Sequence, residues 1–243
     1  MQGRRRVARG LGVLFLVFVS YELVSGLFLS AYVLKSQAMS PTVLPGERVI
    51  VTPLAFGPRT LFGKLPGVVR PERGDIVVAE PNYAERPGFW GMLADSLVRF
   101  VTFQMVSPAT SGPARSGSAS QGSAVALAPA TLQRVVGLPG DVIRMDDFVF
   151  RIKSGDSDQF LTEFELSSRR YDISHEDAPS SWKRDLPGSG WVEPRRLGKD
   201  EYFLAGDARS LSSDSRLWGP VGLDRFIAKV LFRYWPPKRF GSP

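Results

Sequence analysis

The chain contains no cysteine and only one histidine, His175, among its 243 residues. Without cysteine it forms no disulfide, carries no thiolate nucleophile and cannot bind zinc through sulfur, although this absence does not decide the cellular compartment. A single histidine cannot build a multi-histidine metal site, and the polar neighbours of His175 predict that it is exposed. We therefore expect neither a metal ion nor a cofactor.

Acidic residues are fewer than basic ones, 24 against 31, which leaves a formal net charge of +7. The excess fits a solvated basic surface. It also fits attraction to the anionic head groups of the lipid bilayer, because four arginines precede a long apolar run: Arg4, Arg5, Arg6 and Arg9. The sequence shows neither zinc-finger spacing nor the aromatic and basic pattern of ribonucleoprotein motifs, so we expect no nucleic-acid partner.

Charge is nearly absent from Leu11 to Val33, where Glu22 is the one ionisable residue. As a helix this run spans roughly 35 Å, enough to cross a bilayer core of about 30 Å. The apolar region of a cleaved signal peptide is shorter, and a helix in a protein core would show a polar face. The run therefore predicts a single-pass transmembrane anchor, with residues 1–10 in the cytoplasm because the arginines precede it.

Glu22 is costly within a membrane. It is either protonated, paired with a membrane-protein partner, or simply outweighed by its apolar neighbours.

Short apolar runs separated by glycine and proline predict a mainly β extracytoplasmic domain over residues 34–243. The predicted strands lie at Arg48–Val51, after a turn within Arg73–Ala79, at Val142–Ile152 with a turn near Asp146-Asp147, at Glu201–Ala205 and at Phe226–Trp235. Residues 154–198 are polar and irregular, and their pattern predicts no order of strands.

Residues 84–130 are predicted to be a variable insertion. Its part from Phe89 to Val106 has apolar residues at helical spacing, which fits a helix packed on the domain or a segment resting on the membrane. Residues 107–130 are rich in Ser, Gly, Ala and Pro. This composition predicts a flexible linker.

Four short motifs carry the functional signal: SQAMSPT at 36–42, RGDIVV at 73–78, RVVGLPGD at 134–141 and GDARSLSSDSR at 206–216. In this order they resemble the signal peptidase I family of membrane-anchored serine endopeptidases, which use a Ser/Lys catalytic pair. The resemblance implies a fold of twisted antiparallel sheets on one N-terminal transmembrane helix. It also implies signal peptides of exported precursor proteins as the partners.

The resemblance assigns the two catalytic positions. In the family the nucleophile is the serine directly before the methionine of the first motif, and the general base is the lysine directly before the arginine of RVVGLPGD. Here Met39 and Pro41 keep the frame, so the nucleophile position holds Ala38, and the base position before Arg134 holds Gln133. A methyl group cannot attack a carbonyl, and a carboxamide does not take up the proton as a neutral lysine does.

The other site residues follow from the same alignment of motifs. Ser36 falls where the family places a side-chain oxyanion donor, and Ser212 where a serine orients the lysine. The residues expected to support the site are Met39, Pro41, Arg134, Asp207, Asp214 and Arg216. Two further family positions are changed, to Ala208 and Ser210.

Two functions are compatible with these substitutions. In the first, the protein is a catalytically silent homologue that binds signal peptides, an active peptidase or another membrane protein. In the second, it is a working signal peptidase with an unconventional nucleophile, for which Ser36 and Ser40 are the nearby hydroxyls. Because adjacent Cα atoms lie about 3.8 Å apart, either serine would displace the attacking oxygen by several ångströms. The sequence therefore favours the silent homologue.

Overall fold

The computed structural model of the chain describes residues 28–60, 63–84, 130–155, 157–176 and 188–243, together with residues 10, 12–17, 20 and 186. The interpretations of Glu22 and of residues 85–129, including the helical spacing after Phe89 and nearly all of the linker, concern residues outside this description.

The described residues form a mainly β domain, which confirms the predicted class. In chain order the strands are β1 (Ser30–Val33), β2 (Arg48–Thr52), β3 (Arg59–Thr60), β4 (Gly63–Lys64), β5 (Ile76–Ala79), β6 (Thr131–Gly137), β7 (Val142–Asp146), β8 (Val149–Lys153), β9 (Leu161–Thr162), β10 (Val192–Arg196), β11 (Phe203–Ala205) and β12 (Phe226–Trp235). Within the described residues from 28 to 243, the other regular elements are two single-turn helices, α1 (Glu163–Leu166) and α2 (Ser215–Trp218), and 3-10 turns at Pro53–Ala55, Leu223–Arg225 and Pro237–Arg239.

A six-stranded antiparallel sheet positions the four sequence motifs. Its strand order is β1-β2-β12-β5-β6-β11. Strand β2, which follows the first motif, and strand β11, which precedes the last motif, therefore lie in the same layer. Strand β5 is central, and its four residues, Ile-Val-Val-Ala, are all buried. A near-continuous β-branched run is what a strand covered on both faces requires.

A second sheet, with the order β10-β7-β8-β9, packs on the end of β6 and β11. Strands β7 and β8 alternate strictly, so Ile143 and Met145 face the core while Arg144 and Arg151 face outward. The buried side chains join Val136, Phe203 and others in one apolar cluster. Residues 154–198, for which the sequence predicts no order, supply β9, α1 and β10.

The N-terminal segment enters the large sheet earlier than the sequence predicts. Ser30–Val33, assigned to the end of the anchor, form β1 and pair with β2, and Tyr32 is only 7% exposed. The boundary shifts because β2 hydrogen-bonds this backbone and the core covers the Tyr32 ring. Residues 12–17 are helical. Within the part of the chain that the structure describes, no helix is both long and apolar enough to cross a membrane.

Candidate active site

The first motif forms the turn between β1 and β2. Met39 is fully buried and anchors this turn in the main core cluster with Val43. The backbone N–H of Ala38 donates to Ser36 Oγ at 3.0 Å, and the Ala38 carbonyl accepts from the N–H of Ala208 at 3.0 Å. The Pro41 carbonyl accepts from the Arg239 guanidinium at 3.1 Å. Hydrogen bonds from Ala208 and from Arg239 therefore hold the turn that carries Ala38 at the nucleophile position.

Gln133 lies on β6 and is fully buried. Its carboxamide nitrogen donates to Thr131 Oγ1 at 3.2 Å and to the Ser213 carbonyl at 3.1 Å. Its Oε1 atom is buried and makes no hydrogen bond within the described residues. At the position of the family's general base, the chain therefore has a neutral amide whose N–H groups hydrogen-bond Thr131 and Ser213.

Gln133 and Ser212 are not hydrogen-bonded to each other. Ser212 Oγ is buried and has no hydrogen-bond partner among the described residues. Both amide hydrogens of Gln133 are donated to Thr131 Oγ1 and to the Ser213 carbonyl, one residue beyond Ser212. The last motif still approaches the base position, but through its backbone.

Gly206 marks the point where the motifs meet. A Cβ atom placed on Gly206 would lie 2.2 Å from Ser212 Oγ and 2.5 Å from the Ala38 carbonyl oxygen. The structure thus brings Ala38 and Ser212 together at Gly206, with Ser36 bound to Ala38 and Gln133 bound beside Ser212. The side chain of Ala38 has no hydroxyl group, and the side chain of Gln133 has no amine.

Replacing Gly206 by Ala is expected to destabilise the fold by roughly 1–3 kcal/mol, because the added methyl overlaps three atoms of Ser212 and Ala38. Chemical denaturation of the purified chain measures this change. Gly198→Ala is the matched control, since its Cβ would meet Glu201 at 3.4 Å and longer distances. An equal effect of the two substitutions would contradict the close packing at Gly206.

Arg134 and Asp207 form a buried ion pair beneath the site. Asp207 accepts from Arg134 Nε at 2.8 Å and Nη2 at 2.6 Å, and from Thr42 Oγ1 at 2.5 Å. Arg134 also donates to the Gly74 carbonyl at 2.8 Å. The Arg134 guanidinium thus links its own motif to the first, second and last motifs, which gives RGDIVV its structural role.

Asp214 and Arg216 form a second pair within the last motif. Arg216 donates from Nε and Nη2 to the Asp214 carboxylate, both at 2.8 Å, and from Nη2 to the Arg209 carbonyl at 2.6 Å. Asp214 also caps α2 and accepts from the N–H of Gly206. These contacts hold the turn that carries Ser212.

A third ionic cluster has no signal in the sequence. Glu163 on α1 is fully buried and binds the guanidinium of Arg209, which is also fully buried. Tyr171 donates to Glu163 at 2.7 Å, and its ring stacks 3.8 Å from the Arg134 guanidinium. Burial, with the Glu163 carboxylate adding to the effect, raises the pKa of Tyr171, so its hydroxyl stays protonated and donates.

The changed positions Ala208 and Ser210 contact the segment that follows Tyr171. Ser174 forms a bridge with Ala208 and donates from its hydroxyl to the Ser40 carbonyl at 3.0 Å. Ser210 Oγ accepts from the N–H of Glu176 at 2.8 Å and donates to its carbonyl at 3.2 Å. Both substitutions therefore lie where this segment docks on the last motif.

His175 is exposed, as predicted, and its ring stacks on Phe148 with a centroid distance of 4.5 Å. The described residues contain no group of three or more His, Cys, Asp or Glu side chains suited to a metal ion.

A cleft opens beside Ala38, lined on one side by Tyr32, Val33 and Lys35 and on the other by Ala130 and Leu132. The backbone N–H and carbonyl of Leu34 hydrogen-bond Glu47 and Gly46, on the β2 side. Because backbone groups alternate in direction along a strand, those of Val33 and Lys35 point away from β2 and into the cleft.

Strand β6 presents the opposite backbone edge. The N–H and the carbonyl of Val135 both form hydrogen bonds on the β5 side of β6. Because backbone groups alternate in direction along a strand, those of Leu132 point to the opposite side, toward the cleft. Strand β11 pairs with that edge only from Arg134 onward. Within the described residues, two strand edges without strand partners thus face each other across the cleft.

A family model described as "Signal peptidase, peptidase S26" matches residues 6–235. The chain is similar to signal peptidase IB of Staphylococcus aureus strain Mu50, with 23% identity over 223 residues, covering 92% of this chain and 86% of the relative. It is also similar to the probable signal peptidase I-2 of Synechocystis, with 22% identity over 206 residues, covering 85% of this chain and 63% of the relative.

Proposed function

This chain belongs to the signal peptidase family, peptidase S26, and we propose that it is a catalytically silent member that binds the signal peptides of exported precursors without cleaving them. The proposal depends on one observation: Ala38 and Gln133 occupy the two positions that carry the catalytic groups in the family, while the residues that hold the site together are retained. Neither side chain can perform the step that its position requires.

Acyl transfer by this family needs an attacking oxygen and a base that accepts its proton. The Ala38 side chain offers no oxygen, and the donors of Gln133 are bound to Thr131 and Ser213. Ser36 Oγ accepts from the N–H of Ala38, and its contacts within the described residues include no titratable base. Hydrogen-bond donors without a nucleophile and a base would leave only the small residual rate of a serine hydrolase that has lost its catalytic group.

Binding has different requirements, and the cleft meets them. An extended peptide adds to exposed strand edges through backbone hydrogen bonds, while pockets receive alternate side chains. The backbones of Val33 and Lys35 on one side and of Leu132 on the other supply two such edges. Peptide binding can therefore persist after the chemistry is lost.

The test of silent binding combines two measurements on detergent-solubilised full-length protein, free of host peptidase. We expect the chain to bind a synthetic signal-peptide segment ending in an Ala-x-Ala sequence and to leave a precursor carrying the same segment intact. Turnover at ordinary enzyme rates would disprove silence. If such turnover survived Ser36→Ala and Ser40→Ala in turn, neither neighbouring hydroxyl would be the nucleophile.

We further propose that Leu11 to about Leu29 anchor the protein in the cell membrane, with the N-terminus cytoplasmic and the β domain outside. The support is the arginine cluster before this apolar run. Protease added to right-side-out vesicles should digest the domain after Lys35. Protection of the whole domain in sealed vesicles, with digestion after detergent is added, would reject this topology.

A further inference from the structure

We propose that the loop of residues 65–69 docks in the lipid bilayer beside the end of the anchor and gives the β domain a second membrane contact. This inference rests on the proposed membrane anchor. Its basis is a group of exposed apolar side chains at one end of β2. The group consists of Phe28 and Leu29, both 53% exposed, Leu65 at 44%, Val68 at 74% and Val69 at 42%.

Hydrogen bonds place the loop next to the point where the apolar N-terminal run joins the sheet. Thr52, the last residue of β2, donates from its hydroxyl to the Phe28 carbonyl at 2.7 Å. The turn at Pro53–Ala55 follows directly, and the Ala55 carbonyl accepts from the N–H of Val69 at 2.9 Å. Thr52 and Ala55 are separated by at most about 11 Å of chain, because adjacent Cα atoms lie about 3.8 Å apart. The loop and Phe28 therefore flank the same end of β2.

The loop packs on the domain through its backbone. A Cβ atom placed on Gly67 would lie 2.6 Å from the carbonyl carbon of Phe56 and 2.7 Å from the carbonyl oxygen of Ala55. The absence of a side chain on Gly67 thus permits this close approach, and the apolar side chains of the loop remain exposed. Because the loop is already ordered by these contacts, its insertion costs little further conformational entropy.

The lipid bilayer is the partner that fits this position. Isolated apolar side chains are common on protein surfaces, whereas grouped ones mark interaction sites. Residues that flank the end of a membrane anchor are held at the bilayer surface, so the loop meets lipid at a high effective concentration. Arg70, which follows the loop, is also exposed. Its guanidinium extends to the head groups while the apolar side chains of the loop enter the acyl boundary.

A second contact would fix the orientation of the domain on the membrane. A single anchor leaves the domain free to tilt, whereas the anchor and the loop together hold the Thr52 end of β2 at the bilayer. The Arg48 end of β2 follows the first motif and lies at most roughly 13 Å further out at the usual strand rise. The cleft beside Ala38 is thereby kept close to a peptide that emerges from the bilayer.

Labelling at a single cysteine tests the proposal, because the chain has no cysteine of its own. Full-length Val68→Cys protein is labelled with an environment-sensitive fluorophore and reconstituted into vesicles of phosphatidylcholine and phosphatidylglycerol. We expect nitroxide-labelled lipids to quench the fluorophore and dissolved iodide to leave it bright. Asp158→Cys is the matched control, since Asp158 is 99% exposed in the connection between β8 and β9, and its label should show the opposite pattern.

Leu14→Cys reports the insertion of the anchor by the same measurement. If the Val68→Cys label behaves like the Asp158→Cys label while the Leu14→Cys label is quenched by lipid, the docking of the loop is wrong and the anchor stands. Absence of lipid quenching from both Val68→Cys and Leu14→Cys would overturn the inference together with the proposed anchor.

A charge introduced into the loop gives a second measurement. In labelled Leu65→Cys protein, Val68→Asp should shift the loop about tenfold toward the undocked state, because one apolar side chain no longer enters the bilayer. Quenching by nitroxide lipids should fall accordingly. Both positions are exposed, so the denaturation midpoint should remain that of the wild type. Unchanged quenching in a variant that is still folded would contradict the docking of the loop.

Discussion

The double substitution Ala38→Ser with Gln133→Lys is expected to give working peptidase activity to a chain that we propose to be silent. Losing a nucleophile or its base costs other serine hydrolases up to about 10⁶-fold in rate. Restoring both groups should therefore raise precursor cleavage by at least roughly 10³-fold over the wild-type chain. Cleavage of a purified precursor in detergent, followed by electrophoresis, measures the gain.

The physical reason is that the supports of the site are already present. A serine introduced in place of Ala38 would stand on a turn held by Met39 and the Ala208 N–H. A lysine introduced in place of Gln133 would have two oxygens as neighbours of its ammonium. These are Thr131 Oγ1 and the Ser213 carbonyl, which accept from the Gln133 amide nitrogen. Burial disfavours the charged form of a lysine and lowers its pKa, so a neutral amine becomes available as the base.

The single substitutions are the controls for this experiment. Ala38→Ser alone has a hydroxyl without a base, and Gln133→Lys alone has a base without a nucleophile, so each should remain near the wild-type rate. The activity of the double variant should rise with pH, because the lysine works only when it has lost its proton. A double variant that binds peptide but does not cleave it would show that the substitutions at Ala208 and Ser210 have also altered the geometry.

Replacing Asp207 by Ala is expected to destabilise the protein by about 3–5 kcal/mol, because it leaves the buried guanidinium of Arg134 without its counter-charge. The side chains of Arg134 and Asp207 are 1% and 0% exposed, and they share two hydrogen bonds. Thr42 loses its acceptor as well. Denaturation of the purified chain by guanidinium chloride measures the loss of stability.

Asp158→Ala is the matched control for charge removal. Asp158 is 99% exposed and pairs with Lys153 at 3.2 Å, so solvent already screens the interaction and no measurable change is expected. A double replacement, Arg134→Met with Asp207→Leu, should be milder than Asp207→Ala alone, because no unpaired charge remains buried. Equal effects of Asp207→Ala and Asp158→Ala would contradict the supporting role of the ion pair.

Local patterns were enough to predict several of the strands. The β-branched run of β5, the strict alternation of β7 and β8 and the long apolar strand β12 were all predictable, because these signals reside in neighbouring residues. The start of β1 was not, since an apolar run alone does not say where it leaves a helix and joins a sheet. That boundary depends on the pairing of Ser30–Val33 with β2.

The sequence by itself determined the family motifs and the identities of Ala38 and Gln133 at the catalytic positions. Only the tertiary structure decided that Gln133 bonds Ser213, that Glu163 binds Arg209, and that Tyr32 reaches Ala130. These contacts join residues 80, 46 and 98 positions apart. No local pattern encodes such contacts, because they arise from the order of strands in a sheet and from the docking of irregular segments on it.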